Sequence, residues 1–398
     1  MQTGPLNGIR VIEVGSLIAG PFCGQLLGDL GAEIIKIEQP GIGDPFRTWG
    51  KHTDNGAPIW WSVLGRNKRS VTCDLRHAKG QQLLRELVAK SDVLIENFRP
   101  GTLARWNLDP ESLLDANPTL IIGQVSGFGQ TGPYSSRPGY ASIGEAMGGL
   151  RYVTGHSDRP PVRVGISLGD SLAGIFCAVG VLASLVERSQ SGKGQKIDVS
   201  IAESVLSLME SLLPDWHLLA YQRERSGPIL PGIAPSNVYP TSDGGTVLIA
   251  ANQDTVFRRL CDVMSMPFLI DDPRFKTHSD RGTNMDELDE LIAQWSQERT
   301  TDDALLELER GGVPAGRIYR AEDILADAHF MARESITWFD DKHLGRIPMQ
   351  NVNPKLSRTP GSISRSAPDL GEDTDNILQE LLGYTAERVH RLRGDGVI

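Results

Sequence analysis

Cysteine and clustered metal ligands are scarce in this chain of 398 residues. It has four cysteines, which lie far apart among apolar neighbours: Cys23, Cys73, Cys177 and Cys261. No CxxC, HExxH or HxH pattern occurs, although the chain has eight histidines. These absences argue against a disulfide framework and against a zinc site. We therefore expect no metal ion.

Blocks of basic residues and long apolar runs are also lacking. The net charge is −10 and no Lys/Arg-rich block stands out, which disfavours nucleic acid and anionic membranes as partners. The N-terminal residues lack the basic start and apolar stretch of a signal peptide. The apolar run 171–183 falls short of the roughly 20 residues that a membrane span needs. We therefore expect a cytoplasmic protein without a membrane partner.

The glycine pattern of a dinucleotide site is incomplete. The first predicted β-strand, Ile9–Val14, leads into a turn that begins at Gly15 and ends at Gly20, and Glu38 follows the next strand. This turn has the pattern GxxxxG rather than GxGxxG, and it has no P-loop lysine. The glycines for a tight turn and a close approach of pyrophosphate are therefore missing, which disfavours an NAD site.

The elements that are present predict an α/β protein. Strands at 9–14, 33–37, 92–96, 120–125 and 195–200 alternate with helical segments such as 19–30 and 80–90. This alternation predicts a doubly wound parallel sheet with right-handed crossovers. A Pro/Gly-rich linker near residue 222 precedes a smaller α/β unit. From about residue 330 we expect an irregular stretch that runs to a final helix near 375–382.

The most informative side chain is Asp170, which comes directly before the apolar run 171–183. If that run is buried, the carboxylate lies at the edge of a dry interior, where few waters compete with a bound substrate. Such a setting suits a carboxylate nucleophile. An aspartate near a helix start is also commonly an N-cap. The sequence leaves both interpretations open.

Basic and glycine-rich segments follow several of the strands. Arg99 and Arg105 come after the strand at 92–96, and a second basic cluster spans Arg66–Arg69, with Arg76 beyond it. Clusters at the carboxyl edge of a parallel sheet would suit a polyphosphate ligand, and solvated turns are the alternative. The loop 126–140 carries enough glycine to be typical of a segment that wraps a ligand.

Taken in this order, the segments resemble the class III CoA-transferase family. That family contains formyl-CoA:oxalate and carnitine CoA-transferases and, as relatives, the α-methylacyl-CoA racemases. The matching segments are Ala19–Pro21, Leu27–Glu33, Ile37-Glu38 with Gly43-Asp44, Arg47–Trp49, Arg66–Lys68, Glu96–Gly101, Gly127–Pro133, Arg137–Tyr140, Gly169-Asp170, Gly192–Gly194 before Ile197-Asp198, Val313-Pro314 with Gly316, and Ala367–Gly371.

The resemblance implies an architecture and partners. It implies an α/β fold with a large Rossmann-like CoA-binding domain built from both chain ends, residues 1–222 and 331–398. A small α/β domain would span 237–330, with linkers near 201–236 and 325–350. The family also implies an interlocked homodimer. Acyl-CoA and a small carboxylate would be the substrates, so CoA enters as a substrate rather than as a resident cofactor.

The resemblance also implies roles for particular residues. Asp170 stands where the family carries its catalytic aspartate, which attacks the acyl-CoA thioester and then carries an anhydride and a CoA thioester. The residues implied to bind CoA are Ser16, Gln39, Cys73, Arg76, Asn97 and Arg105. The residues implied to lie at the substrate pocket are Ile18, Trp49 and Tyr140, together with Asn252 and Gln253 from the segment that aligns with a glycine loop of the formyl-CoA transferases.

Two departures bear on the substrate. Ile18 replaces a glutamine of the formyl-CoA transferases, and the segment 250–253 is not glycine-rich, which disfavours formyl-CoA and oxalate as substrates. Several arginines could bind a carboxylate acceptor, and we expect a small dicarboxylate or hydroxy acid, with succinyl-CoA as the donor. A racemase is the nearest alternative, but racemases pair the aspartate with a histidine where this chain has Tyr140. A nicotinamide-dependent dehydrogenase and a non-catalytic CoA-binding protein are further alternatives.

Overall fold

The structure, a computed structural model, describes residues 4–398. Met1–Thr3 lie outside the described residues. They belong to the predicted large domain and to the stretch in which we expect no signal peptide. The chain divides into two compact units. The larger comprises the described residues up to Arg151 together with Arg163–Tyr221 and Phe330–Ile398, and the smaller comprises Tyr152–Val162 and Gln222–His329.

A six-stranded parallel sheet forms the centre of the larger unit. Its strands are β1 (Arg10–Glu13), β2 (Glu33–Glu38), β3 (Lys68–Thr72), β4 (Val93–Glu96), β5 (Ile121–Ser126) and β6 (Lys196–Ser200). They lie side by side in the order β3-β2-β1-β4-β5-β6, which is the order of a doubly wound nucleotide-binding sheet. The expected α/β fold with a parallel sheet is therefore confirmed.

Helices connect these strands. They are α1 (Ala19–Asp29), α2 (Ile59–Leu64), α3 (Ala78–Val88), α4 (Thr102–Arg105), α5 (Pro110–Ala116), α6 (Ala141–Met147), α7 (Leu150–Val153), α8 (Leu168–Ser191), α9 (Ile201–Leu206) and α10 (Leu212–Leu219). Val11 and Ile34 pack towards α1 and α8, whereas Ile12 and Ile35 pack towards α3 on the opposite face. This burial on both faces explains why the strands are almost continuously apolar.

The basic cluster Arg66–Arg69 is not a polyphosphate site on the surface. Lys68 and Arg69 lie in β3, and the side chains of Arg66 and Lys68 are almost inaccessible to solvent. Arg66 forms an ion pair with Asp29 at 2.6 Å, and Lys68 forms one with Glu13 at 2.9 Å. Their positive charges are therefore used inside the fold, and that interpretation of the sequence was wrong.

Helix α8 is longer than the apolar run that predicted it. It has 24 residues, so it is long and apolar enough to cross a membrane, and the expectation based on its length was wrong. Its inner face, with Ala173, Cys177 and Val181, is buried in the core beside α1 and β5. Gly174 permits this close packing, since a Cβ there would stand 2.8 Å from the carbonyl oxygen of Ala19.

The smaller unit has a three-stranded antiparallel sheet and its own apolar core. Its strands are β7 (Ser236–Pro240), β8 (Thr246–Ala250) and β9 (Ala315–Gly316), and the helices in this part of the chain are α11 (Asp254–Val263), α12 (His278–Thr283), α13 (Met285–Gln297), α14 (Thr301–Arg310), α15 (Ala321–Ala326) and α16 (Ala328–Ala332). The sequence of this part of the chain predicts helices near 254–264, 286–299 and 302–310, and α11, α13 and α14 agree with these ranges to within a few residues.

The C-terminal segment is more regular than we expected. Strands β10 (Ile336–Asp341) and β11 (Gly345–Gln350) form an antiparallel hairpin within the stretch that was predicted to be irregular. Helix α17 (Thr374–Leu382) is followed by α18 (Ala386–Gly394), so the predicted final helix is not the last one. Both helices add apolar side chains to the core on the α3 face of the sheet.

Candidate active site

Strands β2 and β3 are added on one side of β1, whereas β4 to β6 are added on the other, so the strand order reverses between β1 and β4. Ser16 and Asn97 follow these two strands. The amide of Asn97 makes two hydrogen bonds of 2.8 Å: its Oδ1 accepts from the backbone N–H of Ser16, and its Nδ2 donates to the Ser16 carbonyl. A Cβ at Gly15 would stand 2.5 Å from Asn97 Oδ1. Gly15 therefore makes room for Asn97 rather than for a pyrophosphate. This crevice is where doubly wound folds bind ligands.

Two cavities open at this edge of the sheet. We call the first the Asp170 cavity; it has a volume of about 520 Å³. It is lined by Asp170 together with the predicted residues Ser16, Ile18, Trp49, Asn97 and Tyr140. We call the second the Cys73 cavity; it has a volume of about 310 Å³ and is lined by Gln39, Cys73, Arg76 and again Ser16. The fold thus brings most of the predicted site residues into two cavities that share Ser16.

Three predicted residues lie elsewhere. Arg105 lines neither cavity, and its guanidinium donates to Thr102 Oγ1 at 2.8 Å. Asn252 and Gln253 belong to the smaller unit, at the start of α11. There the carbonyl of Asn252 accepts a 2.9 Å hydrogen bond from the buried guanidinium of Arg281.

Asp170 is not the N-cap of α8. The helix begins after Ser167, so Asp170 is its third residue, and its half-buried side chain lines the cavity. Among residues 4–398, no group donates a hydrogen bond to its carboxylate. Burial, and then the negative charge of Glu145, raise the pKa of Asp170 to about 6, while Arg163 lowers it. The carboxylate is therefore more basic than an exposed aspartate and has no internal partner.

Glu145 and Arg163 are residues that the sequence analysis missed. Glu145, on α6, is 1% exposed; it accepts a 3.2 Å hydrogen bond from the backbone N–H of Gly169 and pairs with Arg151 at 3.3 Å. Arg163 lines the Asp170 cavity and donates to Ser167 Oγ at 3.4 Å. An acidic residue among small ones, directly after the glycine-rich loop, was the available signal for Glu145.

The charged side chains at the Cys73 cavity form ion pairs within the protein. Arg76 is exposed and forms an ion pair with Asp74 at 2.9 Å. Burial raises the pKa of the Cys73 thiol to about 12, so this cysteine is a neutral lining group. Glu38, at the position of a ribose-binding acid in dinucleotide sites, instead accepts hydrogen bonds from Arg47 and Ser70. The carboxylate of Glu38 is therefore occupied by contacts within the protein.

The Asp170 cavity contains a carboxylate that is placed for nucleophilic chemistry. None of the described residues that line it is a histidine, and residues 4–398 contain no cluster of three His, Cys, Asp or Glu side chains that would hold a metal ion. An unpartnered carboxylate at the start of a helix can attack an electrophilic carbonyl. Ile18, Trp49 and Tyr140 supply apolar and aromatic walls beside it.

Comparisons with known proteins agree with this geometry. The chain is 53% identical over 394 residues to a succinyl-CoA–D-citramalate CoA-transferase of Chloroflexus aurantiacus, covering 99% of this chain and 98% of that protein. It is 35% identical to a succinate–glutarate CoA-transferase of Agrobacterium fabrum, covering 95% and 96% of the two chains. The crystal structure of a CAIB/BAIF family protein from Brucella suis matches with a TM-score of 0.83 at 35% identity, over 96% of this chain and 100% of that one.

The Chloroflexus and Agrobacterium relatives are named as CoA-transferases, so the racemase alternative is not favoured. The model of CoA-transferase family III matches residues 6–374. The chain therefore belongs to CoA-transferase family III and is a CoA-transferase.

Proposed function

We propose that this enzyme moves CoA from succinyl-CoA to a small dicarboxylate or hydroxy-dicarboxylate, with Asp170 as the covalent carrier. The relatives support this choice of substrates. Proteins similar to this chain are named for succinyl-CoA with D-citramalate, for succinyl-CoA with L-malate, and for succinate with glutarate. The substrates in these names share a second carboxylate.

The observation that carries the proposal is the unpartnered carboxylate of Asp170 in its cavity. A nucleophile must keep a free lone pair, and none of the lone pairs of this carboxylate is used inside the described fold. Its pKa of about 6 makes it a better nucleophile than an ordinary aspartate, yet leaves it ionised at neutral pH. Ile18, Trp49 and Tyr140 provide apolar surface beside Asp170, which favours a bound acyl group over the water that would hydrolyse an anhydride.

The reaction proceeds through four exchanges without net proton transfer. An Asp170 carboxylate oxygen attacks the succinyl thioester carbon, so that a mixed anhydride forms and CoA thiolate leaves. The thiolate attacks the aspartyl carbon of that anhydride, which releases succinate and leaves an aspartyl-CoA thioester. The acceptor carboxylate displaces the thiolate to form a second anhydride. The thiolate then attacks the acceptor carbonyl, which releases acceptor-CoA and restores Asp170.

We place CoA along the Cys73 cavity, with its thioester directed past Ser16 and Asn97 into the Asp170 cavity. Ser16 lines both cavities, which supports a ligand that occupies both. In this proposal Gln39, Cys73 and Arg76 contact the nucleotide. Arg105, Asn252 and Gln253 line neither cavity, and their roles in CoA binding and at the acyl pocket stay predictions from the family resemblance.

We also propose an interlocked homodimer that works in the cytoplasm without a membrane or nucleic-acid partner. Large apolar side chains stand exposed on α8 and α10: Phe176, Val179, Leu213, Trp216, Leu218 and Leu219. Exposed apolar side chains of this size on the two helices support an interaction surface. Light scattering of the purified protein tests the dimer, and a monomer at micromolar concentration would contradict it.

The test of the covalent step uses the peptide that contains Asp170. The enzyme is incubated with succinyl-CoA, quenched with hydroxylamine or borohydride, and its peptide 163–188 is mapped by mass spectrometry. We expect an adduct at Asp170 that is absent from Asp170→Asn. Glu187→Gln is the matched control, because Glu187 is an exposed carboxylate in the same peptide. A transferase activity that survives in Asp170→Asn would contradict the proposal.

A further inference from the structure

Two arginines line the Asp170 cavity, and both lack an acidic partner. Arg99 and Arg163 are exposed to the cavity, and among residues 4–398 neither forms an ion pair with an aspartate or a glutamate. The arginines near the Cys73 cavity behave differently, since Arg76 pairs with Asp74 and Arg47 pairs with Glu38. A guanidinium without an internal carboxylate partner in a substrate cavity can bind the carboxylate of a ligand, often through two parallel hydrogen bonds.

The two arginines differ in their relation to Asp170. Arg163 lies in the segment that enters α8, and its side chain is held by a 3.4 Å hydrogen bond to Ser167, three residues before Asp170. It is the cation whose charge acts on the Asp170 carboxylate. Arg99 follows β4 beside Asn97, on the side where we place CoA, and it has no such influence.

We propose that Arg163 binds the distal carboxylate of both the dicarboxylic donor and the dicarboxylic acceptor, and so selects dicarboxylates over monocarboxylates. The inference rests on the proposed function, because it assumes that the acyl carbonyl reacts at Asp170. With the carbonyl there, the rest of a short acyl chain extends into a cavity walled by Ile18, Trp49 and Tyr140. A second carboxylate in that space is stabilised by a cation, since hydrogen bonds between a guanidinium and a carboxylate are charge-assisted. Arg163 supplies this cation.

One arginine can serve both half-reactions. The acceptor takes the place of the departed succinate on Asp170, so its distal carboxylate arrives at the same position in the cavity. A charged hydrogen bond of this kind is worth roughly 10- to 100-fold in relative rate. A monocarboxylic acyl chain of the same length gains nothing from Arg163 and leaves its guanidinium desolvated, so it is rejected by a similar factor.

The test compares succinyl-CoA with butyryl-CoA, which has the same chain length but a methyl group in place of the distal carboxylate. The rate of adduct formation at Asp170 is measured for the wild type, Arg163→Gln and Arg163→Lys, as kcat/KM for each donor. We expect Arg163→Gln to lower the value for succinyl-CoA by roughly 10- to 100-fold and the value for butyryl-CoA by much less. Arg163→Lys should restore part of the preference. A general effect on the reactivity of Asp170 would cancel in the ratio of the two donors.

Arg99→Gln is the matched control, because it removes the same charge from the same cavity. We expect it to lower both donors by similar factors. Equal losses with both donors in Arg163→Gln, or a selective loss of succinyl-CoA in Arg99→Gln, would overturn the inference. A wild-type enzyme that forms no adduct with any acyl-CoA would instead contradict the proposed function, so the two failures are distinguishable.

Discussion

The larger unit contains carboxylates in two contrasting environments, one with paired cations and one without. Under strands β1–β3, the carboxylates of Glu13 and Asp44 meet the ammonium groups of Lys36 and Lys68 at 2.8–2.9 Å, and all four side chains are at most 1% exposed. We call this group the Glu13 network. Burial alone would raise the pKa of Glu13, but the two ammonium groups lower it below its ordinary value. At the start of α8, Asp170 has no such partner and faces a second carboxylate, Glu145.

The paired charges of the Glu13 network stabilise the fold, whereas the charge of Asp170 is available to react with a substrate. The Glu13 network ties three strands to the segment after β1, because Lys36 also donates to the carbonyl of Gly15 and Lys68 to that of Pro21. A fully paired carboxylate cannot attack a substrate without first breaking those contacts. Asp170 has no contacts to break, and its raised pKa shows that its charged form is disfavoured by its surroundings. The two regions should therefore respond to neutralising mutations with opposite signs.

The largest effect is expected in the Glu13 network. Lys68→Met leaves the two buried carboxylates with a single ammonium group, so one negative charge is uncompensated and we expect the free energy of unfolding to fall by about 3–5 kcal/mol in urea denaturation. Lys79→Met is the control, since Lys79 pairs with Asp395 on the surface and should change stability by less than about 1 kcal/mol. Equal changes in the two variants would show that the Glu13 network stabilises the fold no more than a surface ion pair does.

Asp170→Asn should instead stabilise the protein. The folded-state pKa of about 6 lies above the ordinary value of 3.8, so the contribution of Asp170 to stability is most favourable below about pH 4 and is lost as the pH rises through 6. Asparagine does not titrate, so we expect it to raise the unfolding free energy by about 1–3 kcal/mol at neutral pH. The gain should disappear near pH 4. A destabilised variant at neutral pH would show that Asp170 is structural.

The two regions also differ in how far the sequence predicts them. Helix α1 and five of the six parallel strands follow from local apolar periodicity and turn residues, so they were predicted to within a residue or two. Strand β3 was missed because Lys68 and Arg69 suggested a solvated surface. The partners that allow such residues to be buried, Glu13 and Asp29, lie on β1 and α1 and become neighbours only through the fold.

The candidate site shows the same limit. Asp170 could be singled out because the apolar run beside it is contiguous in sequence, and the family resemblance led to Ser16, Asn97 and Tyr140, which line its cavity. Glu145 could not be assigned, because it is 25 residues before Asp170 and acts through a hydrogen bond across two helices. Arg163 is close to Asp170 in the sequence, but its lack of an acidic partner can be seen only in the folded chain.

The pH dependence of the reaction tests whether Asp170 works as its surroundings indicate. Only the ionised carboxylate is a nucleophile, so kcat/KM should fall about tenfold per pH unit below pH 6 and stay level above it. Initial rates between about pH 4.5 and pH 8 with saturating acceptor measure this limb. A limb centred near 4, as for an exposed aspartate, would mean that the surroundings do not tune Asp170 in the working enzyme.

The smallest effect is expected when the neighbouring charge is removed. Glu145→Gln abolishes the repulsion between the two carboxylates, so the pKa of Asp170 should fall and the acid limb should shift by up to about one pH unit. The rate at low pH then rises several-fold, whereas the rate on the plateau changes little. Glutamine still accepts the hydrogen bond from Gly169, which separates charge from structure. Glu145→Ala removes both, and we expect it to lower the plateau as well, because the start of α8 loses its support. If Glu145→Gln behaves like Glu145→Ala, Glu145 acts by holding the helix and not by its charge.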